Sequence, residues 1–157
     1  MKPKKIISEW LFARLAGVFV EGATLYVPSG SVGDGFLTAD GVELEDGKLV
    51  GYSITEGRVY PIATKEDVKA PYVTYDNISV AYEATKDGTE PESLTCRVMC
   101  VDRSYTAVDV LADAVEASLN NAWVAEIGSA LMMTSRRSDF DASTGEYIEE
   151  LFLTINL

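Results

Sequence analysis

Pro71-Tyr72-Val73-Thr74-Tyr75-Asp76-Asn77-Ile78-Ser79-Val80-Ala81-Tyr82 is the stretch on which the fold turns. Aromatic and β-branched residues dominate it, which predicts a strand opened by a proline. Its alternation breaks once. Val73 and Tyr75 share one parity, and Ile78, Val80 and Tyr82 the other, so a bulge is expected near Asp76-Asn77. The segment that follows, Lys86-Asp87-Gly88-Thr89-Glu90-Pro91-Glu92, is polar and turn-forming. The strand is therefore expected to pair antiparallel with a second one over 93–102, giving a hairpin with an exposed tip.

Working downstream, Ser104 or Thr106 can cap a helix running to about Asn120. Val108, Leu111, Ala112, Val115 and Leu119 fall on one stripe of that helix, and Asp109, Asp113 and Glu116 on the other side. Those carboxylates read as a solvated face. Two extended segments follow, 125–136 and 147–157. In the second, Leu151, Leu153, Ile155 and Leu157 form a wholly apolar face.

Upstream, Ile7, Leu11, Leu15 and Val18 recur at spacings of four and three, predicting a helix over 4–16 with Gly17 as its stop. Residues 20–56 then hold seven glycines: Gly22, Gly30, Gly33, Gly35, Gly41, Gly47 and Gly51. Asp40-Gly41 and Asp46-Gly47 bracket Val42-Glu43-Leu44-Glu45, a short strand between turns. Gly30, Gly33 and Gly35 match neither G-x-G-x-x-G nor a P-loop, so this is a β-rich insertion without a phosphate cradle. A short extended run follows over 59–63.

The order of elements is helix, β-rich insertion, β, β, helix, β, β. Strand pairs separated by a helix define an α+β domain with a largely antiparallel sheet. The N-terminal helix and the long helix pack on one face, and a Gly-rich, hairpin-like insertion sits at about 20–56. At 157 residues, with 47% hydrophobic and 24% charged residues, one domain spanning 1–157 is expected.

Thirteen basic residues against twenty-five acidic ones give a net charge of −12, which argues against nucleic-acid binding, because the phosphate backbone would be repelled. No histidine is present. Ser-His-Asp and Cys-His catalytic sets, His-ligated zinc and histidine pH switches are thereby excluded, whereas carboxylate, lysine or N-terminal chemistry is not. Cys96 and Cys100 share one face of the second hairpin strand about 13 Å apart, beyond disulfide reach, and read as reduced core thiols.

Lys2, Lys4 and Lys5 precede an apolar run that Ser8, Glu9 and Arg14 interrupt. It is too short to span a membrane and too polar for a secretion signal, so an intracellular protein is expected and the sequon Asn77-Ile78-Ser79 reads as accidental. Because these lysines cluster at one end of the helix, a membrane-surface anchor is the weaker reading.

Asp139, Asp141, Ser143 and Glu150 occupy positions 1, 3, 5 and 12 of an EF-hand-like loop. Position 6 is Thr144 instead of glycine, and both flanks read as strands. A hairpin turn is the favoured reading, with Arg136 and Arg137 forming exposed ion pairs to Asp139 and Asp141.

Val59-Tyr60-Pro61, a variable loop, Ala70-Pro71-Tyr72-Val73-Thr74-Tyr75, the Lys86-Asp87-Gly88 tip, a β run ending near Asp102, and Ser104-Tyr105-Thr106-Ala107-Val108 leading into Leu111-Ala112-Asp113-Ala114-Val115 follow one another in a characteristic order. In that order and spacing the chain resembles the small phage tail-completion proteins, which include siphophage head-to-tail joining and tail-terminator proteins. The Gly-rich insertion is longer than the family pattern.

The resemblance implies a non-enzymatic virion protein without cofactors, assembled in the host cytoplasm of a phage or prophage. It implies a ring, expected to be a hexamer, whose partners are the tail-tube protein and the head connector. No role in sequence-specific nucleic-acid binding or at a membrane is implied. On that reading the contact elements are the hairpin tip with Lys86, Asp87 and Glu90, and the loop with Arg136, Arg137, Asp139 and Asp141. Tyr105 and Trp123, flanking the long helix, are either docking anchors or ordinary half-buried aromatics. Two other readings remain: a small acidic adaptor module with the Gly-rich insertion as its ligand loop, and a carboxylate hydrolase using Asp139, Asp141 and Glu150.

Overall fold

The structure is a computed structural model, and it describes residues 2–21, 42–45, 48–54, 58–61 and 70–157. The chain is an α+β protein. Among the described residues the elements are α1 (Pro3–Leu15), β1 (Phe19–Glu21), β2 (Val42–Glu45), β3 (Lys48–Ser53), β4 (Val59–Pro61), β5 (Tyr72–Thr85), β6 (Gly88–Asp102), α2 (Tyr105–Leu119), β7 (Ala122–Val124), β8 (Ser129–Asp141) and β9 (Glu146–Asn156). The main sheet has the order β4-β5-β6-β9-β8-β7, and a smaller one the order β1-β3-β2. Every pairing is antiparallel except β4 with β5.

Both helices cover one face of the main sheet. Alternation along β6 sends Leu94, Cys96, Val98 and Cys100 to that face, where they meet Ile7, Leu11 and Leu15 of α1 and Val108, Leu111, Val115 and Leu119 of α2 in one buried cluster. Leu151, Leu153 and Ile155 of β9 join them, as the apolar parity of that strand predicts. The Ser104 hydroxyl accepts from the Ala107 amide at 3.0 Å and caps α2, settling which of the two expected caps is used.

The opposite face is mixed, with Met99, Val101, Ile148 and Phe152 beside polar pairs. Arg97 of β6 makes a two-toothed ion pair with Asp76 of β5, at 2.9 and 3.2 Å, and Thr95 shares a 3.1 Å hydrogen bond with Thr154. The β5 bulge falls between Asn77 and Ser79, and a second irregularity lies between Ala81 and Tyr82. On the helix side Asn77 ties β5 to α1, its amide donating to the Lys4 carbonyl at 2.9 Å and to Ser8 Oγ at 2.8 Å.

Three expectations need correction. The β5–β6 hairpin does not loosen into a long polar turn over 86–92, because pairing continues to Thr85 and Gly88 and leaves only Lys86 and Asp87 at the tip. The stretch from 125 is not a single strand: β7 ends at Val124, a turn containing Gly128 at φ 79 intervenes, and β8 begins at Ser129. The acidic side of α2 is not simply solvated, as described below. Of the Gly-rich insertion, β2 pairs with β3 and β3 with β1 as an insertion of β character requires. The turns at 40–41 and 46–47, the glycines Gly30, Gly33 and Gly35, and residues 62–69 lie outside the described residues.

Candidate interaction surfaces

Arg136 sits at the centre of the densest charge cluster. Its Nη2 lies 2.7 Å from Asp109 Oδ1, its Nη1 2.7 Å from Asp113 Oδ1 and 3.7 Å from Glu116 Oε1, and its Nε 2.7 Å from Glu149 Oε1. Asp109, Asp113 and Glu116 line the outer stripe of α2, so one guanidinium joins helix, β8 and β9. The Ser138 hydroxyl donates to the other Glu149 oxygen at 2.7 Å. Partial burial pulls the Arg136 pKa down, but the hydrogen bonds and charges of Asp113 and Glu149 outweigh it, and the net shift is upward. Arg136 stays charged at any ordinary pH.

This overturns the expected pairing of Arg136 and Arg137 with Asp139 and Asp141. Arg136 points to the helix side instead, with 21% of its side chain exposed. Arg137 points to the other face, donating to Glu150 Oε2 at 2.7 Å, with its guanidinium 6.0 Å from the Phe152 ring centroid. Asp139 and Asp141 bind their own loop. Asp139 Oδ1 accepts from the Phe140 amide at 2.8 Å; Asp141 Oδ1 accepts from the Ser143 amide at 2.9 Å and the Ser143 hydroxyl at 2.6 Å. The Ser143 hydroxyl and amide lower the Asp141 pKa. Gly145 at φ 72 closes the turn, so this is a hairpin turn, as favoured from the sequence. With Glu150 engaged by Arg137, the EF-hand arrangement does not form. Among the described residues no group of three or more cysteines and carboxylates is placed to hold a metal ion.

Tyr105 and Trp123 are both exposed, at 64% and 63%. Tyr105 meets Tyr147 edge-on with centroids 6.4 Å apart, and Phe140 lies 4.8 Å from Tyr147. Tyr105, Tyr147 and Phe140 thus form one surface aromatic patch beside the β8–β9 turn. Sequence reasoning missed Phe140, although an aromatic side chain between two aspartates on a strand end was the available sign. Trp123 stands apart on β7, opposite Ala130.

Register fixes where these surfaces lie. Asp102, at one end of β6, is opposite Tyr147 beside the aromatic patch, while the tip residues Lys86 and Asp87 lie beyond the other end. At ~3.3 Å per residue the length of β6 separates them by about 45 Å. Six of the nine expected contact residues therefore fall at two poles, while Arg136, Arg137 and Trp123 lie on the body of the sheet. Lys86, Asp87 and Glu90 are at one; Tyr105, Asp139 and Asp141 are at the other; Arg136 holds the body between them.

Asp102, Cys96 and Cys100 are titratable side chains that are buried as well. Asp102 is fully buried, with Oδ1 accepting from the Arg103 amide at 2.7 Å and Oδ2 without a hydrogen-bond partner. Burial pushes its pKa up to about 7 against the pull of the Arg103 amide and nearby arginines. Cys96 and Cys100 are free and buried, as expected; burial raises Cys96 to about 12 and shifts Cys100 upward as well.

No protein-family model and no curated protein matches the chain. A solved structure does share its fold: a chain of "Virion of native gene transfer agent (GTA) particle" superposes with a TM-score of 0.53 at 14% sequence identity, covering 63% of this chain and 77% of that chain. The likeness is one of fold, the α+β arrangement described above.

Proposed function

We propose that this chain is a structural protein of a phage-like virion, which completes or terminates the tail tube by assembling as a ring and offers a surface to the head connector. The fold shared with a chain of a gene transfer agent virion is the observation that carries this reading. The fold also exposes more than one distinct surface, the hairpin tip and the aromatic patch among them, as a ring subunit needs in order to meet its two neighbours by different faces. A net charge of −12 suits a wall past which DNA travels without adhering. The histidine-free composition leaves the common acyl-transfer sets without a base.

Light scattering of the purified protein across concentration, with and without the tail-tube protein encoded beside it, tests the reading. A ring of about six subunits is expected, formed either by the protein alone or on addition of the tube protein. A monomer that ignores the tube protein refutes it.

A further inference from the structure

Beyond Glu92 the β5–β6 hairpin leaves the sheet. The ladder of β6 with β9 ends at Ser93 and Asn156, followed by a last hydrogen bond from the Leu157 amide to the Glu92 carbonyl at 2.8 Å, and pairing of β4 with β5 covers only Val73–Tyr75. The segment Tyr82–Pro91 therefore pairs only with itself, an arm extending about 13 Å at ~3.3 Å per residue, and every residue in it is exposed. A two-stranded hairpin wet on both sides is marginally stable at best.

The arm's side chains make matters worse for a solitary subunit. Glu83 and Glu90 are directly opposite one another in the ladder, and like charges in that position are destabilising. Among the described residues neither has an ion-pair partner. On the other side of the pleat Tyr82, 61% exposed, stands opposite Pro91. An unneutralised carboxylate pair backed by an exposed tyrosine fits a surface that is both basic and partly apolar.

This chain carries such a surface. A groove of about 390 Å³ opens between the start of α1 and β5, lined by Lys4, Lys5, Ser8, Pro61, Tyr75 and Asn77, and by Asp76, which Arg97 neutralises. Lys4 has no ion pair among the described residues, and Lys5 has only a 3.8 Å contact with Glu9 in which both side chains are about 70% exposed. Arg97, Arg136 and Arg137, by contrast, are committed to carboxylates of the fold.

The arm of one subunit cannot reach its own groove. Asn77, in the groove wall, lies on the same strand five positions before Tyr82, where the arm begins, and folding back would break the β5–β6 ladder.

We propose that the Tyr82–Pro91 arm of one copy docks in the α1–β5 groove of the next, with Glu83 and Glu90 against Lys4 and Lys5 and Tyr82 against the apolar wall near Pro61. The inference rests on the ring reading and names the surfaces that join neighbours. Arm and groove are different surfaces, so the contact is heterologous and runs head to tail.

Charge exchange tests it. Two variants are prepared, E83K/E90K and K4E/K5E, each checked for native folding by circular dichroism. Each alone is expected to need at least about tenfold more protein to assemble than wild type, because like charges then face one another. Mixed in equal amounts they are expected to recover assembly to within about threefold of wild type, since each basic arm meets an acidic groove and each acidic arm a basic one. Carbodiimide coupling of isotopically mixed wild-type chains, read by mass spectrometry, is expected to join Glu83 or Glu90 of one chain to Lys4 or Lys5 of another. Assembly of wild type with no such cross-links, or assembly unaffected by either double variant, overturns this interface and leaves the ring reading standing. Wild type that stays monomeric with and without the tube protein overturns both.

Discussion

Replacing Arg136 by methionine removes the guanidinium while keeping an unbranched apolar stem in the same space. Four carboxylates lose their partner, but not equally. Asp109 and Asp113 are 56% and 65% exposed, so water re-solvates them and each pair contributes no more than ~1 kcal/mol. Glu149 is different, with only 8% of its side chain exposed and the Ser138 hydroxyl as its remaining donor. Removing one member of a buried pair costs ~3–5 kcal/mol, because the survivor is left desolvated and unpaired. Arg136 itself is 21% exposed, which lets water approach and lowers that figure. With a few tenths more from the unscreened carboxylate row on α2, the expected loss is about 2–4 kcal/mol.

Urea unfolding at neutral pH measures this loss, with an unchanged m-value required for the comparison. The double variant R136M/E149M should recover most of it, since no buried charge is then left over, giving a coupling energy of about 1.5–3 kcal/mol. The cycle with D109A should give less than about 1 kcal/mol. A loss below about 1 kcal/mol for R136M, or stronger coupling to Asp109 than to Glu149, would refute the view that Glu149 dominates the cluster.

Asp102 has a folded-state pKa near 7, above its ordinary value of 3.8. The stability tied to that proton is complete below about pH 4 and is lost as the pH rises through 7; D102N keeps the acceptor for the Arg103 amide and should flatten the profile, adding about 4 kcal/mol at pH 8 and little at pH 4, as read by thermal unfolding at both values. G51A should destabilise by about 1–3 kcal/mol in urea, because its Cβ would lie 2.6 Å from the Phe19 ring and crowd the Val20 carbonyl oxygen. Cys96 and Cys100, buried and with raised pKa values, should resist a disulfide reagent in native buffer and react together once the chain is unfolded; rapid modification of either in the native state would contradict the packing of β6.

The strands and helices of the sheet layer were legible because their burial follows period. The even-numbered face of β6, the odd-numbered face of β9 and the stripe of α2 each bury an apolar set that simple counting finds. Arg136 was not legible, and the reason is a single register shift. Leu131 and Met133 share a parity that, carried forward without interruption, would send Arg137 to the helix side. The irregularity between Met133 and Ser135 exchanges the two arginines, putting Arg136 opposite Leu151 and Arg137 opposite Glu150. No local pattern marks that bulge. The acidic stripe of α2 looked solvated for a related reason: its cation comes from 20 or more positions away along the chain, beyond any i,i+4 test. The arm was misread in the opposite sense, since polar residues on both sides suggested a turn where the ladder simply continues into water.

Distribution of the positive charge bears on how copies could associate. The folded sheet occupies Arg97, Arg136 and Arg137 internally, whereas Lys2, Lys4 and Lys5 are exposed together at the start of α1. The arm at the end of β5 and β6 carries Glu83, Asp87 and Glu90 against Lys86 alone. A two-fold contact of arm on arm would set carboxylate against carboxylate, so electrostatics disfavours the closed dimer. A contact of arm on groove is free of that penalty and repeats from copy to copy. Such a heterologous contact closes as a ring or grows as a filament according to the angle between the two surfaces. Because the attraction is between exposed charges, it weakens with salt as the screening length falls from ~10 Å at 0.1 M toward ~3 Å at 1 M. Assembly that dissolves over that range while the fold persists is the signature of this contact; assembly indifferent to salt would point to the aromatic patch of Tyr105, Tyr147 and Phe140 as the stronger joint.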